Sequence, residues 1–197
     1  MSSNPAHEKL DPRVKRTRAL IQNAFLDLLA EKDFQSITVQ DITHKAEINR
    51  ATFYAHYLDK FALLETSIDH IFRQELEKRT LNACRYSPQN LQALVVTVCE
   101  FISLSHTRNK VADPQYETLV ERQVRNQIQE LLELWLKQTG RPGDLKTAAT
   151  AASWSIYGLA LQWNHDKRDF SSVEDYVDHI LPLVASILQF TPVGAPA

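Results

Sequence analysis

Apolar residues in this chain recur every three to four positions, a period satisfied only by helices that each bury one stripe. Ile21, Ala24, Phe25 and Leu28 fall at i, i+3, i+4 and i+7, and Leu64, Ile68, Ile71, Phe72 and Leu76 keep one face apolar further on. Strand-like alternation is missing, and the 197 residues include only 4 glycines, so turn punctuation is sparse. The expected class is all-α. With 44% of residues hydrophobic, the chain can bury one large or two small cores.

The opening segment MSSNPAHEKLDPRVKRTR has no apolar run, and no stretch approaches the roughly 18 apolar residues of a membrane span. Neither a signal peptide nor membrane association is expected, which places the protein in the cytoplasm. Cys84 and Cys99 form no CxxC pair and have no histidine at zinc spacing. They read as buried thiols in a reducing compartment, and no metal or cofactor is expected.

The formal net charge is -2, but it is unevenly divided. Residues 1–60 carry 9 Lys and Arg against 8 Asp and Glu, a net of +1, and the remainder carries a net of -3. Lys9, Arg13, Lys15, Arg16 and Arg18 are opposed only by Asp11 in the same stretch. This is a basic arm, readable either as a solvated tail or as a phosphate contact.

Capping residues set the helix boundaries. A first helix spans Val14 to Lys32. Thr38, with Asp41 three residues on, opens a second from Val39 to Ala46. Asn49 caps a third, Arg50 to Tyr57, and Asp59 caps a fourth that bridges two domains. Ser87-Pro88 and Asp113-Pro114 each start a helix, the latter ending at Gly140. Another runs from Leu145 to Asn164. Ser171-Ser172-Val173-Glu174 reads as a capping box for the last, in which Pro182 predicts a kink.

The third helix turns Phe53 and Tyr57 toward the core and Ala51, Thr52 and Ala55 away from it, with Arg50, Tyr54 and His56 at the rims. Small residues amid polar and cationic ones let a backbone approach base edges, which is what a helix entering the major groove requires. With the short helix before it, this makes a helix-turn-helix.

At this point the run TVQDITHKAEINRATFYAHYLDKFALLE resembles the N-terminal domain of the TetR/AcrR family of transcriptional repressors, over about residues 13 to 65. Its most specific part is Ala51-Thr52-Phe53-Tyr54, then His56-Tyr57 and Lys60. The resemblance implies a three-helix helix-turn-helix DNA-binding domain over residues 1–60 and a helical regulatory domain over 61–197 that binds a small-molecule effector and forms a homodimer. It implies DNA contacts at Arg16, Thr38, Asn49, Arg50, Ala51, Thr52, Tyr54, Ala55, His56 and Lys60 on a double-stranded operator. Lys60 would hold a phosphate, and Arg50 would read a base or hold a phosphate. The family usually places glycine where this chain has Glu47. If Glu47 is left-handed, its side chain strains the turn.

In the second domain, Ala148, Ala149, Ala151, Ala152, Ser153, Ser155, Gly158 and Ala160 with Val177, Ile180, Leu181, Val184 and Leu188 fit a four-helix dimer seam. Cys99, Tyr116, Trp135, Trp154 and Tyr157 are candidate cavity residues, although residues of this kind are more often plain core. The competing classes are an enzyme, a corepressor-dependent regulator and a DNA-independent coactivator. The sequence carries no Walker loop, HExxH, GxSxG or GxGxxG, so an enzyme is not expected.

Overall fold

The computed structural model describes residues 11–79, 85–108, 113–140, 143–165 and 170–188. Lys9, Cys84, the Arg141-Pro142 break and Gln189 lie outside these residues. The described residues form eight helices and no strand: α1 (Pro12–Glu31), α2 (Val39–Lys45), α3 (Arg50–Tyr54), α4 (Lys60–Arg79), α5 (Pro88–Arg108), α6 (Pro114–Gln138), α7 (Leu145–His165) and α8 (Val173–Leu188). The chain divides into two compact units. One takes the described residues through Leu64 together with Asp113, and the other takes Glu65–Arg108 and the described residues from Pro114 onward.

In the first unit α1 starts two residues earlier than its apolar pattern indicates. Asp11 accepts a hydrogen bond from the Arg13 amide at 2.9 Å, and Pro12 occupies the first turn, where a missing N–H costs nothing. Arg13, Lys15, Arg16 and Arg18 therefore stand on a helix and not on a tail. Ile21, Phe25 and Leu28 from α1, Phe34 and Ile37 from the following loop, Ile42 from α2 and Phe53 from α3 make the core, all at most 6% exposed. Helices as short as α2 and α3 are unstable alone, so tertiary contacts must hold them. Lys32 pairs with Asp41 at 2.8 Å and Lys45 with Glu31 at 2.6 Å, tying α2 back to α1.

The second unit is built on long helices. Leu91, Leu94, Val95, Val98, Cys99 and Ile102 of α5 are at most 1% exposed, which makes α5 its central element. The stripe of α6 runs Tyr116, Val120, Val124, Ile128, Leu132, Trp135 and Leu136, and Gly140 at φ 64° ends the helix. Asp144 caps α7, accepting from the Thr147 amide at 3.1 Å, and α7 packs alanines against α5 and α6. At α8 the capping partner is Asp175, whose amide donates to Ser172 Oγ at 3.1 Å, in place of the Glu174 that the box pattern points to. The helix passes through Pro182 within one continuous span.

Val177, Ile180, Val184 and Leu188, expected in a dimer seam, are buried inside the chain's own core, as are Ala148, Ala149, Ala152, Ser153 and Ala160. Of the expected seam, Ala151 and Gly158 stay on the outer face of α7 and α8, beside Trp154 and Leu183.

Candidate nucleic-acid interface

The turn between α2 and α3 is made by a helix end. The Glu47 amide donates to His44 O at 3.2 Å and the Ile48 amide to Thr43 O at 3.0 Å, the paired closing bonds of a helix that ends on a left-handed residue. Glu47 is that residue, at φ 54°. Its Cβ crowds the carbonyl where glycine would not, at a cost of roughly 1 to 2 kcal/mol. Asn49 then starts α3, its Oδ1 accepting from the Thr52 amide at 2.7 Å and from the Thr52 hydroxyl at 2.9 Å.

On α3, Phe53 is 0% exposed and Tyr57, just beyond the helix, 5%, as the helical period predicts. Arg50, Ala51, Tyr54 and Ala55 are exposed, and Thr52 and His56 are half-buried. The helix is shorter than expected and ends at Tyr54, although the Tyr57 amide still donates to Phe53 O at 2.9 Å and carries the turn on. The ring of Tyr54 stands edge-on to Phe53 with centroids 5.5 Å apart, which steadies a half-exposed phenol at the surface. The outward surface is therefore a guanidinium, a phenol and two methyls on a short helix whose other side is anchored in the core.

Several expected DNA contacts are already committed within the chain. The hydroxyl of Thr38 donates to Asp41 Oδ2 at 2.7 Å and accepts from the Asp41 amide at 3.1 Å, while the Thr38 amide donates to the same carboxylate at 2.8 Å. Lys32, followed by the Thr38 hydroxyl and amide, holds the Asp41 carboxyl down to about 2. Thr38 is thus a cap with its donors occupied, and so is the Thr52 hydroxyl. Asn49 keeps its amide N–H groups as donors, Arg16 is exposed on α1, and His56 can still present its ring.

Lys60 is a correction. Its Nζ donates to the carbonyl oxygens of Phe34, Gln35 and Ile37, each at 2.9 Å, and lies 4.7 Å from the centroid of the Phe34 ring. An ammonium has three protons, so all are used, and no donor remains for a phosphate. Desolvation holds Lys60 below the ordinary lysine range, with Asp113 acting in the opposite sense. The residue is a clamp that closes the loop after α1. Sequence reasoning could not see this, because the acceptors lie 23 to 26 residues away and are backbone atoms.

In the second unit the five candidate cavity residues do not line a common space. Cys99 is 0% exposed, and burial pushes its thiol up to about 12, which makes it inert. Tyr116 and Tyr157 are buried, and burial followed by the Glu121 carboxylate raises the Tyr157 hydroxyl. Trp135 lies edge-on to Tyr86 and borders a void of about 10 Å³, no larger than one water. Trp154 is 51% exposed, with the Arg125 guanidinium stacked 3.5 Å from its ring. These are core and surface residues.

A larger cleft, of about 380 Å³, opens between α4 and α6 and is lined by Phe72, Arg73, Leu76, Glu77, Gln127, Glu130, Leu131 and Leu134. None of these was expected from the sequence to line a cavity, although Phe72 and Leu76 were read as part of the apolar face of the fourth helix. The available signal was faint: Leu131 and Leu134 are apolar but fall beside the buried stripe of α6 and not on it.

Two short helices joined by a capped turn, the second with a small-residue face, give this unit the geometry of a helix-turn-helix. The sequence model of bacterial regulatory proteins of the tetR family matches residues 21–66. The uncharacterized HTH-type transcriptional regulator YxbF of Bacillus subtilis (strain 168) is 48% identical over 75 residues, which span 38% of this chain and 20% of YxbF. A TetR-family regulator (SCO0857) from Streptomyces coelicolor A3 superposes with a TM-score of 0.63 at 17% identity, covering 91% of this chain and 98% of that one. The transcriptional regulator FadR from Bacillus subtilis, solved with stearoyl-CoA, gives 0.51 at 15% identity over 86% of this chain and 96% of its own. Residues 21–66 thus carry the sequence signature of the tetR-family regulators, and the helical fold beyond them is one shared with solved TetR-family regulators. Among the described residues no helix is long and apolar enough to cross a membrane, and no group of three His, Cys, Asp or Glu could hold a metal ion.

Proposed function

We propose that this protein binds a specific operator in duplex DNA as a homodimer, represses transcription there, and releases the operator when a small, largely apolar effector occupies its second unit. Residues 1–60 serve as the DNA-binding domain and 61–197 as the regulatory domain. The observation that carries this reading is the outward face of α3, where Arg50 and Tyr54 flank Ala51 and Ala55 on a helix fixed from behind by Phe53 and Tyr57. Ala51 and Ala55 let the backbone come close, Arg50 reaches a guanine edge or a phosphate, and Tyr54, His56, Asn49 and Arg16 contact bases or the sugar-phosphate chain.

The basic first turns of α1 favour the same reading. Arg13 and Lys15 sit at the positive end of the helix dipole, an unfavourable placement that nearby phosphates would reverse. The dimer seam is the exposed α7 and α8 face, where an added Cβ at Gly158 would meet nothing within 4 Å and where Trp154 and Leu183 are more than half exposed. The protein acts by binding, not by catalysis, in the bacterial cytoplasm.

The test is selection of retained sequences from random duplex DNA by the full chain. A partly palindromic consensus is expected, with half-sites about one helical turn or somewhat further apart. On that duplex, Arg16→Ala should lower the salt slope by about 1. Retention without sequence preference would refute the reading.

A further inference from the structure

The cleft between α4 and α6 has an apolar floor and an acidic rim. Phe72 and Leu76 are at most 6% exposed, whereas Leu134 is 41% exposed at the mouth. Of the charged groups at the rim, Arg73 is engaged by Asp69 at 3.1 Å, but Glu77 and Glu130 meet no cation among the described residues. Gln127 adds a further unmet group, since its Nε2 is buried without an acceptor. A polar atom in that condition is costly unless a ligand or water answers it. The volume, about 380 Å³, lies within the range of small-molecule sites.

We propose that this cleft is the effector site and that its ligand is a hydrophobic organic cation, with rings against Phe72 and Leu76, its positive charge between Glu77 and Glu130, and an acceptor oxygen for Gln127. This rests on the effector-responsive reading above. Charge decides the class: an anionic ligand such as the acyl-CoA bound by FadR would meet two carboxylates against one guanidinium that Asp69 already engages, and a neutral one would leave both carboxylates unanswered. Both walls of the cleft lead covalently to the first unit. Helix α4 begins at Lys60, which clamps the loop after α1, and α6 begins immediately after Asp113, which accepts from Gln35 Nε2 of the same loop at 3.4 Å. A ligand that wedges α4 from α6 therefore acts on the two segments that hold that loop.

The experiment measures binding of para-benzyloxybenzyl-trimethylammonium to the full-length protein by calorimetry, with para-benzyloxybenzoate as the anion of matched shape. The cation should bind and the anion should not. Glu77→Gln combined with Glu130→Gln, which keeps shape and removes charge, should weaken the cation about tenfold. Leu131→Trp, which fills the cleft, should abolish binding even if the double variant loses stability. Equal binding of cation and anion, an unaffected double variant, or no binding of the cation would overturn the proposal. Retention of a selected DNA sequence by the same preparation separates the two readings. If the DNA is retained and the cation fails to bind, only the cleft assignment falls; if no sequence is retained, the regulatory reading falls.

Discussion

The two units are stabilised by different means. In the first, where α2 and α3 span 7 and 5 residues, side-chain hydrogen bonds to nearby backbone do much of the work: Thr38 with Asp41, Asn49 with Thr52, and Lys60 with three carbonyls. In the second, helices of 16 to 25 residues each bury a continuous stripe, and caps only mark where they begin. Short helices cannot bury enough apolar surface to fix themselves, so a recognition surface built from them needs specific polar locks. The difference also separates function from support. The Thr38 hydroxyl and the Lys60 ammonium that lock the first unit are unavailable to DNA, whereas in the second the buried Gln127 Nε2 and the Glu77 and Glu130 carboxylates border a cleft.

The sharpest way to break this comparison is to empty each core. Phe53→Ala should cost about 3 to 5 kcal/mol and Ile128→Ala about 2 to 5, measured by denaturant unfolding of the full chain. Phe53→Ala should also abolish operator binding. A Phe53→Ala protein that retained the operator would show that α3 is not held from behind. Next in size is Lys60→Met, which leaves three carbonyls without their donor and should destabilise the DNA-free protein by about 1 to 3 kcal/mol. If melting without DNA is unchanged and only affinity falls, Lys60 is a phosphate contact after all.

Replacing Glu47 by glycine should raise stability by about 1 kcal/mol, because relief at φ 54° outweighs the added freedom of the unfolded chain. Glu47→Gln retains the Cβ and should leave melting nearly unchanged while improving low-salt operator affinity by removing a charge near phosphates. Equal melting of the glycine variant and the parent would mean that the turn bears no strain.

The smallest effect concerns acid. Asp41 is more acidic in the folded protein than its ordinary 3.8, so its contribution is present above that value and is lost as pH falls through about 2. Asp41→Asn should flatten the stability profile between these limits, measured by thermal melts across that range.

Legibility in the sequence followed the same division. Thr38, Asn49 and the Phe53 and Tyr57 pair announce themselves by spacing of three or four residues, and the structure places them as caps and core. The strained turn at Glu47 was foreseeable as a condition, because glycine is the usual residue where φ is positive. Lys60 was misread because a cation beside a DNA-facing helix fits a phosphate as well as it fits distant carbonyls. Val177, Ile180 and Val184 were misassigned for a related reason: an apolar stripe does not state whether its neighbour belongs to the same chain or to a partner. The α4 and α6 cleft escaped because its acidic rim is assembled from Glu77 and Glu130, 53 positions apart, and each alone is an ordinary exposed carboxylate.

The central claim is that the exposed face of α3 recognises DNA while the locks behind it only hold it in place. The most direct measurement is the affinity of Arg50→Ala for the selected duplex and its single-base variants. The expected result is a loss of about 1 to 3 kcal/mol, confined to one position if Arg50 reads a base and uniform if it holds a phosphate, with DNA-free melting unchanged. Full affinity on every duplex would contradict the account.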